Sequence, residues 1–396
     1  MTFKKVTPVL AGRTSGDQSS MRRVQAFHPA YHTALQDLCA NASAIEDLTE
    51  SFPALLFALA TGYGTARKRS ACITMIAAGA PLRACAKTLG MPWWTRRLPA
   101  GSFTHGFNSL PSGPGVDAHM AQLVPACPQL ANSWLSRVIY ADEANCLDFA
   151  LWVAKNNKSH APLASSETFI FLTAWAWFAG QPGTQGHSLL RKPWSASMGL
   201  RRAVDEMTHW RRRIALMAKL GNGVADTWIA EGNALGYDFV ALRKVEDFVA
   251  ESEAMDNCLD QYADYLESDA TRIFSIRKAG KPLADIEIGP HGEEPRMPAL
   301  IQLRGPRNRR ASAELWQATY AWLGGAALKL LPGNRARLRG ASKRRQARRL
   351  FWQPYLEALK GTEHLERFKL LALGGVKRCK PPARRSTVQR TAEARD

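Results

Sequence analysis

The sequence holds no apolar run of the roughly 20 residues a membrane-spanning helix needs. Its most apolar window, Phe169 to Gly180, is about twelve residues long, so no membrane partner is expected. No two cysteines stand at CxxC spacing, and Cys39, Cys72, Cys85, Cys127, Cys146, Cys258 and Cys379 are scattered without a nearby His. That argues against a zinc site, and the odd, widely spaced set fits reduced thiols in a cytoplasmic protein. There is no Walker loop and no dinucleotide fingerprint, so no cofactor is expected. A fixed internal period is also missing. The first residues, Met1 to Lys5 running into Thr7-Pro8, lack the long apolar stretch of a secretory leader. Acidic residues are the scarcest class relative to their counterpart: 34 Asp and Glu face 53 Lys and Arg, a net charge of +19. Such an excess favours a polyanionic partner, nucleic acid ahead of an anionic membrane, and DNA ahead of RNA.

What is present is the composition of a folded chain. Of 396 residues, 46% are apolar, with 12 Trp and 15 Phe, enough for two or three domains with a substantial core. Residues 1–23 are polar, basic and expected to be loose. Residues 24–190 read as a helical region. Pro53 opens an apolar helix through Leu55, Leu56 and Leu59 that Gly62-Tyr63-Gly64 ends. Gly79 to Met91, followed by Trp94 to Leu98, has the rhythm of a helix-turn-helix, but Pro92, the bulky Trp93-Trp94 pair and Pro99 favour a buried helical hairpin with core tryptophans. Asp142, Glu143 and Asp148 read as a solvated helix face rather than a carboxylate pair. Met198 to Lys219 is a strong helix whose Arg211, Arg212 and Arg213 either face phosphate or snorkel over the core.

Residues 191–325 form the most legible unit. Met255, Cys258, Tyr262 and Tyr265 fall on one stripe of an expected amphipathic helix. Arg272 to Arg277 and Leu283 to Ile288 alternate as strands around the turn Lys278-Ala279-Gly280-Lys281. Ala299 to Arg304 reads as a third strand, Tyr237 to Leu242 as an added edge, and Glu314 to Leu323 as a closing helix. The expected class is therefore α+β: a mostly helical N-terminal part, a small antiparallel sheet of three or four strands flanked by helices, and a basic C-terminal helical tail.

Several ordered blocks here carry a resemblance: Glu253 to Leu259 with Tyr262, Ile273 to Arg277, Ile286-Glu287-Ile288, and Ile301 to Gly305 with Asn308. Over roughly residues 225–323 the chain resembles the PcfJ-like family of conjugative plasmids and other mobile elements. The resemblance implies a context of transfer or maintenance, with protein partners of a transfer complex. Many family members carry a His directly before the Cys, where this chain has Asn257.

Polar residues on the strands mark a candidate site. Alternation puts Asp285 with Glu287 on one face, and Gln302 with Arg304 on one face. Whether the two faces coincide depends on register, since a slip of one residue inverts a strand. If they do, the site holds two carboxylates and, with Arg277, two guanidinium groups, suited either to a phosphate or amide ligand or to a structural ion network. Cys258 is a candidate nucleophile that its helix start would activate and Asp256 and Asp260 would restrain, or else a small core residue. The catalytic candidates are thus Cys258, Asp285, Glu287, Gln302 and Arg304.

After the third strand, Gly305-Pro306-Arg307-Asn308-Arg309-Arg310 places Arg307, Arg309 and Arg310 before a helix, where they either hold a phosphate or make an ordinary basic turn. From Lys329 onward, 19 Lys and Arg stand against 5 Asp and Glu, which accounts for 14 of the 19 net charges. Within the basic helical extension, 326–376, Lys343, Arg344, Arg345, Arg348 and Arg349 with Trp352 form the pattern of a nucleic-acid footprint, cations beside an aromatic. Residues 377–396 are expected to be disordered. The favoured function is a nucleic-acid-associated accessory protein acting through phosphate contacts. Its rivals are an enzyme on the sheet face, which requires the polar side chains to converge on one pocket, and an adaptor of a transfer complex.

Overall fold

The computed structural model describes residues 23–373 except 41–42, 158–164, 222, 225, 295 and 327–340. The expected loose N-terminus, apart from Arg23, and the tail expected at 377–396 lie outside the described residues. The fold is α+β. A helical body contains α1 (Pro53–Thr61), α2 (Pro128–Ala144) and α3 (Ser166–Ala179), and α4 (Leu200–Leu220) leads out of it. The module follows as β1 (Gly232–Ala234), β2 (Tyr237–Ala241), α5 (Val245–Met255), β3 (Arg272–Lys278), β4 (Lys281–Pro290), β5 (Pro298–Arg304) and α6 (Ala313–Gly325). Two further helices, α7 (Ala341–Ala358) and α8 (His364–Leu373), end the described chain.

Local chemistry accounts for the helix ends. Pro53 starts α1 because its missing N–H costs nothing there, and Gly62 stops it in the left-handed region at φ 87°. Ser165 caps α3 by accepting from the Thr168 amide. Both helices are apolar almost all round and are buried accordingly. Gly186 is required by packing, since a Cβ there would lie 2.3 Å from the Phe178 ring.

The tryptophan segment follows the favoured reading and not the helix-turn-helix. Leu82–Leu89 is a helix, but Trp93–Arg97 is a short 3-10 segment, and Trp94 is fully buried with its Nε1 donating to the Pro111 carbonyl at 3.0 Å. Trp94 is core and the half-buried Trp93 packs against Phe52, so no recognition helix exists here. The Arg triplet is likewise structural. Arg213 is buried and bonds Glu253 and the Leu189 carbonyl, while Arg211 pairs with Glu167.

The boundary expected at residue 190 falls in the irregular stretch before α4, yet it does not divide two separate cores. Ala203, Met207, Trp210 and Ile214 of α4 belong to the core of the helical body, whereas its Leu216 and Leu220 join the module's core. One rigid helix thus serves both.

The C-terminal extension departs most from expectation. Phe351, Trp352, Tyr355, Leu359 and Phe368 are buried in the same core as residues of α1 to α4. Trp352 packs against Phe178, Trp210 and Phe368 at centroid distances of 6.0, 5.6 and 5.1 Å. At 3% exposure it offers no face to a base, which corrects its assignment as a stacking residue. Helix α7 runs through Pro354. Glu143, expected on a solvated face, accepts from Ser109 at 2.6 Å and bonds His364 Nε2 at 2.7 Å, fastening α8 to α2.

The sheet has five antiparallel strands in the order β1-β2-β3-β4-β5. Ala279 and Gly280, both at positive φ, make the two-residue turn between β3 and β4. One face carries Phe239, Phe274, Ile276, Ala284, Ile286, Ile288 and Leu303, packed on Leu315, Ala318 and Trp322 of α6. The opposite face lies under α5 and the segment after it, and there the polar residues gather.

Candidate functional site

Register decides the site. Asp285 pairs with Ser275 on one side and Arg304 on the other, and Glu287 pairs with Ile273 and Gln302. The two faces that alternation left separate therefore coincide. Immediately after Glu287 the β4/β5 ladder shifts register, leaving Ile301 as the extra residue of a bulge. Bulges of this kind re-aim side chains near a strand's working end.

Cys258, Asp285, Glu287, Gln302 and Arg304, the five catalytic candidates, all line one cleft of about 390 Å³. Asn257, Tyr262 and Asn308 share the lining, with Leu259, Ile273 and Ile286 as its apolar part. Inside the cleft the polar groups are tightly bonded. Glu287, 7% exposed, accepts from Tyr262 at 3.1 Å, Gln302 at 2.7 Å and Thr271 at 3.1 Å. Gln302 also donates to the Tyr262 hydroxyl at 2.7 Å. Burial and the Glu287 charge raise the Tyr262 hydroxyl well above its ordinary pKa, so it stays a donor at all physiological pH.

Asp285 is different. Its Oδ2 accepts from the Asn257 amide, while its buried Oδ1 has no hydrogen-bond partner. Burial first, and then the charge and hydrogen bond of Glu251, push its pKa up to about 8; Asn257 and Arg277 act in the opposite direction. Glu251 lies on α5 outside the cleft lining and bonds Ser275 at 2.6 Å and Arg277 at 2.8 Å. Sequence reasoning overlooked it. Its signal was an acid on the buried stripe Phe248, Glu251, Ser252 and Met255 of α5.

Cys258 does not sit in a helix. Helix α5 ends at Met255, Asp256 is left-handed at φ 47°, and Leu259–Gln261 is a 3-10 turn before the short helix Ala263–Glu267. The break has a local cause: Ser252 Oγ donates to the Asn257 carbonyl and the Leu259 amide donates to Asn257 Oδ1, bonds that compete with the helical ladder. The expected helix-start activation of the thiol is therefore absent, and the half-buried Cys258 instead meets the Asn308 amide at 3.5 Å. Asn257, which stands where the resemblance leads one to look for a His, orients Asp285 rather than Cys258.

The basic residues divide. Arg304, Arg309 and Arg310 are exposed and carry no ion pair among the described residues, and the backbones of Arg304 and Arg310 form an isolated bridge. Arg307 pairs with Asp256 at 3.1 Å, an exposed contact. Arg307 and Asn308 both adopt φ 56°, an uncommon strain for non-glycine residues, and it presents Asn308 to the cleft. On α7, Arg345 and Arg349 are exposed and Arg348 half-buried, again without an ion pair among the described residues. The side chains of Lys343 and Arg344 lie outside the described residues. No described helix is long and apolar enough to cross a membrane.

Comparison with protein-family models, with curated proteins and with solved structures finds no match.

Proposed function

We propose that this protein is nucleic-acid-associated and that the module's cleft receives a phosphate-bearing unit of the polymer, held by Arg304 with Arg309 and Arg310 beside it. The observation that supports this most is the contrast among arginines. Arg191, Arg213, Arg272 and Arg277 are each matched to a carboxylate, whereas the three next to the cleft stand exposed without one. Unmatched guanidinium groups on a strand end and its following loop suit phosphate, and binding through them releases counterions with little regard to sequence. The arginines of α7 add a second phosphate-contacting surface, without the stacking once expected from Trp352. The mobile-element setting rests on the resemblance over roughly residues 225–323 alone.

The test is binding of rhodamine-labelled, mixed-sequence single-stranded DNA and RNA across a salt series. Replacing Arg304, Arg309 and Arg310 by Ala is expected to weaken binding at least tenfold and to flatten the log–log salt slope by about 2, given about 0.7 per lost phosphate contact. An unchanged affinity and slope would refute the assignment. A second reading, an enzyme acting on the same ligand, is favoured by the convergence of all five polar candidates on one cleft. Product formation scored on the same samples separates the two, since pure binding leaves the oligonucleotide intact.

A further inference from the structure

The cleft floor poses a problem of charge. Asp285 and Glu251 are 6% and 2% exposed, and each would bring a negative charge into a buried site. Both oxygens of Glu251 are occupied, Oε1 by the Ser275 hydroxyl and Oε2 by Arg277. Asp285 Oδ1 is buried without a donor, and beside it Glu251 bonds the Ser275 that stands directly across the β3/β4 ladder from Asp285, so the Glu251 carboxylate raises the Asp285 pKa. Two carboxylates cannot hydrogen-bond each other; a carboxylic acid and a carboxylate can. One proton on Asp285 satisfies Oδ1 and leaves the pair with a single negative charge, which Arg277 balances. The other polar or charged groups facing Asp285 are Ser275 of β3, Glu287 on its own strand, Arg304 of β5, and Asn257 and Cys258 of the segment after α5.

Arg304 lies directly across the ladder from Asp285. With Asp285 neutral, the guanidinium has no counterion among the described residues and is free for an anion. Once Asp285 loses its proton, the carboxylate becomes that counterion and repels a bound phosphate.

We propose that Glu251 is a specificity-determining residue: by holding the proton on Asp285 it keeps the floor beside Arg304 uncharged, so the cleft admits a phosphodiester, and loss of that proton to water closes it to anions. This rests on the phosphate-binding reading above. Burial and the neighbouring Glu251 charge, which hold the Asp285 proton up to about pH 8, place the transition within reach of a simple titration.

The experiment uses the full chain and a rhodamine-labelled oligodeoxyadenylate, whose phosphodiesters do not titrate in the range. Affinity is followed by anisotropy at constant ionic strength from about pH 6 to about pH 9.5, bracketing an acid tuned near neutrality. Wild type is expected to lose at least tenfold in affinity in a one-proton transition. Asp285→Asn, which keeps the shape and the bond to Glu251, is expected to bind equally well at both ends. In Glu251→Gln the amide donates to Asp285 and stabilises its charge, so the transition moves to lower pH. Cys258→Ser tests the nearby thiol, which ordinarily titrates at about 8.5, and is expected to leave the transition in place.

Binding that is flat across the range, or a transition that persists in Asp285→Asn or vanishes in Cys258→Ser, overturns the proposal. Binding absent at every pH, or indifferent to Arg304→Ala, sinks the phosphate reading and this inference with it. The shared proton is then still judged by thermal melts without ligand: a stability that falls with pH in wild type and not in Asp285→Asn demonstrates it, and equal profiles deny it.

Discussion

The two faces of the module's sheet are built from alternate residues of the same strands and solve opposite problems. Toward α6 the face is dry. Phe239 stacks on Trp322 at 4.6 Å and Phe274 lies 4.9 Å from it, with isoleucines of β3 and β4 around them. Burying such groups is favourable at about 25 cal/mol per Å² and requires only that they fit. Toward α5 the same strands bury Ser275, Asp285 and Glu287, each of which loses hydration that a partner has to replace. A fold that needed only stability would have placed apolar residues on both faces. On the reading proposed above, the polar face carries a chemical task whose energetic cost the apolar face offsets.

Changes on either face break or sharpen this contrast. A large effect at every pH is expected on the dry side: Trp322→Ala removes the ring packed on Phe239 and Phe274 and should cost about 3–5 kcal/mol, read from chemical denaturation. Because most of a domain's stability is of that order, the module should lose cooperative unfolding near ambient temperature.

On the polar side the signature is pH. Folding raises the Asp285 pKa from its ordinary 3.8 to about 8, so the folded state holds a proton that the unfolded state has released. That contribution is fully present below about pH 4 and is lost as pH rises to about 8, with a limiting slope of about 1.4 kcal/mol per pH unit for one proton. Denaturation midpoints of wild type and Asp285→Asn across this interval should therefore converge at low pH and diverge upward, with the variant the more stable at about pH 9. The smallest effect is expected from Tyr262→Phe. It removes one donor to Glu287 and one acceptor for Gln302, costing about 1–2 kcal/mol, and should leave the dry face intact by near-ultraviolet circular dichroism.

Strand positions were legible because their causes are local. The alternation of Arg272 to Arg277 and of Leu283 to Ile288, with Ala279-Gly280 between them, suffices to set a hairpin. Glu231 to Ala234 escaped notice because β1 is only Gly232–Ala234, with too little alternation to read. The residues of the cleft were found in sequence, but their union was not, since it depends on the β4/β5 register that no single strand encodes. Cys258 was misplaced because an apolar stripe ran through a helix end that Ser252 and Asn257 enforce by side-chain bonds. Trp352 was misread for a different reason: clustered arginines around an aromatic look alike whether the ring meets a base or a core. Only the distant partners Phe178, Trp210 and Phe368 distinguish the two, and they lie up to about 170 residues away in the chain.

The bond between Glu143 and His364 spans 221 residues of sequence, and with it the helical body encloses the module as an insertion. Synthesis runs from the N-terminus, so α1 to α4 emerge with the seats of Phe351, Trp352, Tyr355 and Phe368 unfilled, exposing apolar surface until α7 and α8 leave the ribosome. The strands of the module, neighbours in sequence, can pair long before then. The helical body therefore begins to be made before the module and is completed only after it.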